Sequence, residues 1–179
     1  VTAAGICREC SLETGGCCRS EPCVPGFPLS PPELERLIAH LHLAAKAPGA
    51  ETPLEQVSMA ARNDEEFLKA VTSMLPRHKK EPAALFLPDG EHRKLRLMPS
   101  GDCVFRSEQG CRLPRDARPW YCTLFPLWTR GDAVMLMNPE GCRLRAVTAS
   151  PLEAMRMLGV TATDVRLRFA ALLRDWNLK

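Results

Sequence analysis

The stretch C-R-E-C-S-L-E-T-G-G-C-C, residues 7–18, places four thiols within twelve positions, two of them adjacent, and a fifth follows at Cys23. A packed interior does not require this density, because a cysteine there behaves as a small hydrophobe that Ala or Val replaces. Three chemistries explain it: disulfides, thiol redox work and metal binding. The choice decides the fold of the whole N-terminal region. Residues 1–29 are rich in Gly, Pro and Cys and carry no hydrophobic period, so they are expected to be loop held in place by whatever the thiols bind.

The rest of the composition narrows the choice. A chain of 179 residues makes one domain, read here as a single unit over 1–179. It is long enough to bury a core without covalent staples. Nine cysteines cannot pair completely, and one thiol would be left over. No run nears the ~18 apolar residues of a membrane span. The sequence as given opens at Val1 with no charged-then-apolar leader, and the expectation is a cytoplasmic protein. In a reducing compartment dense thiols favour metal over disulfides. The net charge of +3 is mild, and the basic groups at 77–80 and 93–96 read as solvated surface rather than a nucleic-acid stripe.

Outward from the head, the spacing predicts a helical middle over 30–76. Ser30 with Glu33 forms a capping box, Pro31 takes the first helical position, and Leu34, Leu37, Ile38 and Leu41 recur at helical spacing. Pro48-Gly49 stops this helix. A second start falls at Thr52–Glu55 and a third at Asn63, followed by Phe67, Leu68, Val71, Met74 and Leu75 up to Pro76. Residues 83–147 change texture. Short runs at 83–87 and 94–98 flank the turn Pro88-Asp89-Gly90 and predict a small hairpin, with further strands at 101–106 and 133–137. The tail, 150–177, returns to helix, with Ser150, Pro151 and Glu153 as a start. Val165, Leu167, Phe169, Leu172 and Leu173 lie between arginines as one amphipathic face. The fold class is α+β, mainly helical: a small irregular domain with a short hairpin and Cys-rich loops organised around a metal site.

The second cysteine block holds Cys103, Cys111, Cys122 and Cys142. Glycine lies beside or near three of them (Gly101, Gly110, Gly141), where it permits the sharp turns that aim amide N–H groups at a thiolate. In R-P-W-Y-C-T-L-F-P, residues 118–126, prolines and aromatics wall Cys122 on both sides. Arg118 would stand there as a fixed cation, a candidate cofactor contact or the partner of a carboxylate.

These pieces resemble the CxxCxxCC cysteine-cluster family of zinc- or iron-chelating domains, the YkgJ-like proteins. The resemblance rests on Cys7, Cys10, Cys17 and Cys18, then Gly101/Cys103/Phe105, Cys111, Arg118/Pro119/Cys122/Phe125/Pro126, and Cys142. It covers residues 7–142 in order. Two departures stand out: six residues separate Cys10 from Cys17, and Cys142 is followed by Arg-Leu where the family has Pro-Gly. Cys23 has no counterpart, as a spare thiol or a substitute ligand. The resemblance implies that Cys7, Cys10, Cys17, Cys18, Cys103, Cys111, Cys122 and Cys142 are metal ligands.

Thiolates are soft donors that select zinc, copper(I) or iron–sulfur clusters. His40, His42, His78 and His92 lie outside both cysteine blocks and are read as bland. An all-thiolate set fits Zn2+ or an iron–sulfur cluster, [4Fe-4S] in particular. Eight thiols suffice for two four-ligand sites, or for one site plus structural cysteines. The adjacent pair Cys17–Cys18 is easiest to place if its members serve different metals, if one bridges, or if only one binds. The expected function is metal binding, with a redox or electron-transfer role or a structural-sensor role toward a protein partner. The alternatives are a zinc-stabilised interaction module without redox work, and an accessory domain of a protein-modifying enzyme. Flagellin lysine N-methylases carry a similar cysteine segment, but no Gly-rich nucleotide loop, P-loop, G-x-S-x-G or H-E-x-x-H is present here.

Overall fold

Ser30 starts the first helix as its sequence predicts. In the computed structural model, which describes residues 6, 8–10, 12, 18–19, 27–45, 54–75, 84–138 and 142–178, helix α1 runs Pro31–Ala45. Ser30 Oγ accepts from the Glu33 amide at 3.3 Å, and Glu33 Oε2 accepts from the Ser30 amide at 2.9 Å and hydroxyl at 2.8 Å. Two amides otherwise orphaned at the helix end are thereby satisfied. The expected stops at Pro48-Gly49 and Pro76, together with Cys7, Cys17, Cys23 and His78, lie outside the described residues.

The middle of the chain is not helical throughout, which corrects the expectation for 30–76. A single turn, α2 (Leu54–Val57), runs directly into strand β1 (Ser58–Arg62). β1 pairs antiparallel with β2 (Glu91–Leu95), Ser58 opposite Leu95 and Arg62 opposite Glu91. The strand hides in the sequence because its one fully buried side chain is polar: Ser58 donates to the Leu54 carbonyl at 3.0 Å and accepts from Arg93 at 3.2 Å. The predicted hairpin of 83–87 with 94–98 is corrected for the same reason. The Pro88-Asp89-Gly90 turn does form, with the Gly90 amide on the Leu87 carbonyl at 3.0 Å. Residues 84–85 are helical, however, and the strand after the turn pairs with β1. Asn63 fastens that turn to the end of β1: its amide donates to Gly90 O at 2.8 Å and its Nδ2 to Leu87 O at 3.0 Å.

With Asn63 so engaged, the next helix, α3 (Glu65–Met74), is capped one residue later than expected. Asp64 accepts from the Phe67 amide. Asn63 Oδ1 faces His92 Nδ1 at 2.8 Å. Because Asn63 Nδ2 is already donating, Oδ1 is the acceptor and Nδ1 carries the proton. The ring stacks on Phe67 at 3.7 Å between centroids. Burial pushes His92 down to about 4, with Lys94 adding to the effect and Asp64 opposing it. A histidine depressed in the folded state binds its proton in the unfolded chain first, so stability rises with pH between about 4 and the ordinary value of about 6.5. We expect His92 to contribute on the order of 2 kcal/mol at neutral pH, most of it lost by pH 4. Urea unfolding of wild type and His92→Gln across that range reads this directly: the difference between the two curves shrinks as the pH falls.

The second half is built from short elements. Strands β3 (Arg106–Ser107) and β4 (Gly110–Cys111) make a tight antiparallel pair. Helix α4 (Trp120–Leu124) leads through a cis Phe125–Pro126 bond into β5 (Leu127–Arg130), which pairs with β6 (Ala133–Leu136). Helices α5 (Arg143–Val147), α6 (Pro151–Leu158) and α7 (Ala162–Asp175) follow. Ser150 caps α6, and Thr161 with Asp164 closes a capping box on α7.

Helix α7 packs on α4, β5 and β6 and touches α1. Its Val165 and Leu172 are fully buried, with Phe169 and Leu173 at the margin. Leu167, expected on the same face, is 65 % exposed. It lies two residues from Val165, about 200° around a helix, and so turns outward. The main core gathers Phe27, Tyr121, Leu124, Leu127 and Trp128 with α3, α6 and α7. A second, smaller apolar cluster holds Leu37, Val57, Cys103, Phe105 and Leu113. No described helix is long and apolar enough to cross a membrane.

Candidate metal centre

The smaller cluster is where the two cysteine blocks meet. Residues 18–19 of the head lie antiparallel beside 102–103: the Cys103 amide donates to the Cys18 carbonyl at 2.7 Å, and Arg19 and Asp102 form a bridge. The side chains reinforce the backbone, with Arg19 Nε on Asp102 Oδ1 at 2.9 Å and Arg106 on the same oxygen. Desolvation works to raise the Asp102 carboxyl, but hydrogen bonds from Ser100, Arg106 and Arg19 together hold it below its ordinary value.

From Cys103 the chain turns back on itself. The Arg106 amide reaches the Cys103 carbonyl at 2.8 Å, and the β3–β4 register sets Arg106 opposite Cys111. The return to Cys111 passes through Gly110 at φ 99°, a region closed to side chains bearing a Cβ. Gly110→Ala is therefore expected to cost about 1–3 kcal/mol, measured as a lowered urea midpoint. Cys18, Cys111 and Cys103 all pack in this one cluster, Cys103 buried and the other two partly exposed.

The fourth thiol arrives on α4. Arg118 ties the segment before it to the Cys111 loop, its Nε on the Leu113 carbonyl at 2.8 Å and its NH2 on the Cys111 carbonyl at 3.4 Å. Arg118 is thus engaged with backbone oxygens, neither carboxylate nor thiolate being among those partners. The first amide of α4, Trp120 N, donates to Glu33 Oε1 at 2.7 Å. One buried carboxylate therefore anchors the start of α1 and the start of the helix that carries Cys122.

The electrostatics follow from this crowding. Burial pushes the Cys122 thiol well above its ordinary range, and Cys103, Cys18 and Cys111, in that order, add to it, with Glu33 behind them. Burial likewise pushes Cys103 up to about 12; the Phe105 amide, hydrogen-bonded to the sulfur, opposes this, and Cys18 and Cys111 reinforce it. Cys103 and Cys122 therefore stay protonated until a cation offsets the charge of their thiolates. Among the described residues, no three His, Cys, Asp or Glu side chains form a group able to hold a metal.

Cys10 and Cys142 lie elsewhere. Cys142 is buried in the main core at the start of α5, and burial raises its thiol. The amides of Arg145 and Leu144 oppose that rise without completing a helix cap, and Cys10 is the thiol close enough to add to it. Glu9 and Arg143, the neighbours of these two cysteines, form an ion pair at 3.8 Å.

The aromatic wall predicted around Cys122 is core. Trp128 Nε1 donates to the Met74 carbonyl at 2.7 Å, and its ring meets Phe27, Tyr121 and Phe169. Trp120 donates to Asp175 at 2.7 Å and lies under the Arg36 guanidinium at 4.4 Å. Sequence reasoning found Glu33 as a helix cap and missed its second role, for which no local pattern exists: its partner Trp120 is 87 residues away. Comparison with known proteins finds no matching family model, curated protein or solved structure.

Proposed function

We propose that this chain is a thiolate metal-binding protein of the CxxCxxCC cysteine-cluster type, holding an iron–sulfur cluster or Zn2+. The observation that carries the reading is the gathering of Cys18, from the head, with Cys103 and Cys111, from the middle of the sequence, at one small apolar cluster, near enough to Cys122 to act on its charge. The donor chemistry fits a soft metal: sulfur atoms alone, in surroundings that penalise their charge. Cys18, Cys103, Cys111 and Cys122 would hold the group by closing in from their present positions, in which no three of them form a metal-holding group. When bound, it would supply the positive charge that lets all four thiols ionise and, as a cluster, a one-electron couple. The Phe105 amide on Cys103 supports the iron–sulfur reading, because N–H donors to sulfur are one means by which proteins tune such clusters.

The protein's own residues would do the rest. Asp102 with Arg19 and Arg106 holds the head against the second block. Arg118 fixes the Cys111 loop, and Glu33 sets the start of the Cys122 helix. A metal here would lock the N-terminal head to the body, and a redox or sensing role would act through that attachment on a protein partner. Cd2+ added to metal-free, reduced protein tests the reading. The expected result is an ultraviolet sulfur-to-cadmium absorption band and a Tm that climbs with metal concentration. Absence of both would remove it.

A further inference from the structure

We propose that Cys18 and Cys103 form a reversible disulfide in the metal-free chain, fastening the N-terminal head to the second cysteine block. The bond itself stands apart from the metal-binding reading. Only its consequence, withdrawal of two thiols from the candidate centre, rests on that reading.

Backbone register places this pair. Arg19 lies antiparallel to Asp102, so the residue before the one stands opposite the residue after the other, Cys18 against Cys103. The Cys103 amide donates to the Cys18 carbonyl at 2.7 Å, as that register requires. Opposed residues share one face of an antiparallel ladder, and where they share a backbone hydrogen bond their Cα atoms are about 5.5 Å apart. A disulfide spans ~4.4–6.8 Å between Cα atoms. The alignment is held on both sides: Leu97 pairs with Cys103 on its other edge, and Asp102 accepts from Arg19 and Arg106. No other two described cysteines are opposed in a ladder. Cys111 faces Arg106, Cys122 is in helix α4, Cys142 caps α5 and Cys10 lies in a short helical turn.

Exposure divides the chemistry between the two sulfurs. Cys18 is partly exposed and Cys103 is buried, so a peroxide in solvent reaches Cys18. The Cys18 sulfur attacks one peroxide oxygen. The O–O bond breaks, hydroxide leaves and takes up the thiol proton as water, and Cys18 becomes a sulfenic acid. The Cys103 sulfur then attacks the Cys18 sulfur. The S–S bond forms, the S–O bond breaks, and the hydroxyl departs as water with the Cys103 proton. Two thiols are oxidised, and one peroxide is reduced to two waters. Exposure at Cys18 leaves the bond open to reduction.

The test is stoichiometric hydrogen peroxide on the reduced, chelator-treated full chain, followed by alkylation and tryptic mapping without reductant. The expected product joins peptide 9–19 to peptide 97–106, in which Cys103 is the sole cysteine. Fragment ions should assign the link to Cys18, and dithiothreitol should release it. Cys18→Ser should lose this link, and if that variant fails to fold, the wild-type fragment ions decide alone. Recovery of Cys103 as the alkylated thiol, or joined to Cys10, Cys17 or any other cysteine, overturns the proposal. The oxidised chain should also take up less Cd2+ than the reduced chain, and equal uptake by both overturns the link to the centre. No uptake by the reduced chain refutes the metal-binding reading, while the peptide map still decides the disulfide.

Discussion

Cys122→Ser is expected to strip the metal from the proposed thiolate site and to leave the chain poorly soluble. The hydroxyl of serine is a poor donor to a soft ion and does not ionise near neutral pH, so one of four ligands is lost outright. A structural metal site of zinc type contributes ~10 kcal/mol or more to folding, and a three-ligand remnant retains only part of that. The effect on the metal-free protein should be small by comparison, because Ser and Cys differ little in volume. Metal content measured beside urea stability, with and without chelator, separates the two contributions. Full metal and full stability in the variant would remove Cys122 from the ligand set. His40→Ala serves as the control and should leave metal content unchanged.

Glu33→Ala is expected to destabilise the fold by about 3 kcal/mol, even without metal. The substitution leaves three donors without their acceptor: the Ser30 amide, the Ser30 hydroxyl and the Trp120 amide. Each buried orphan costs about 1–3 kcal/mol, and relief of the buried carboxylate offsets part of the sum. That relief is real, since burial outweighs the hydrogen bonds and raises the Glu33 carboxyl above its ordinary value. Glu33→Gln keeps an acceptor for one side of the site and no longer buries a charge, so it should cost less than half as much. Equal losses for the two variants in thermal unfolding would mean that the carboxylate geometry does not hold α1 to α4.

Several elements were legible because their signals are local. Ser30 with Glu33, Ser150 with Glu153, and Thr161 at the head of α7 announce their helices within four residues, and each cap forms. The β6 strand is apolar and sits at its predicted place. β1 was not legible: S-M-A-A-R has weak strand propensity, and its partner lies beyond α3 and the Pro88-Asp89-Gly90 turn. Leu167 shows the limit of composition, since an apolar residue between arginines still faces outward when the helical phase requires it. The thiols could be enumerated in sequence, but which of them meet depends on where residues 9 and 19 find their ion-pair partners, and those lie more than eighty residues away. Arg118 shows the same limit: its charge could be read, but not its engagement with the Leu113 and Cys111 carbonyls.

Elemental analysis with an absorption spectrum, on protein purified without oxygen, tests the central claim most directly. Metal in whole-number ratio to the chain is predicted: iron with inorganic sulfide and broad visible absorption for a cluster, or zinc without colour for a closed tetrahedral site. Protein that is folded, free of both metals and unable to take up either would contradict it, and would leave Cys18, Cys103, Cys111 and Cys122 as packing alone.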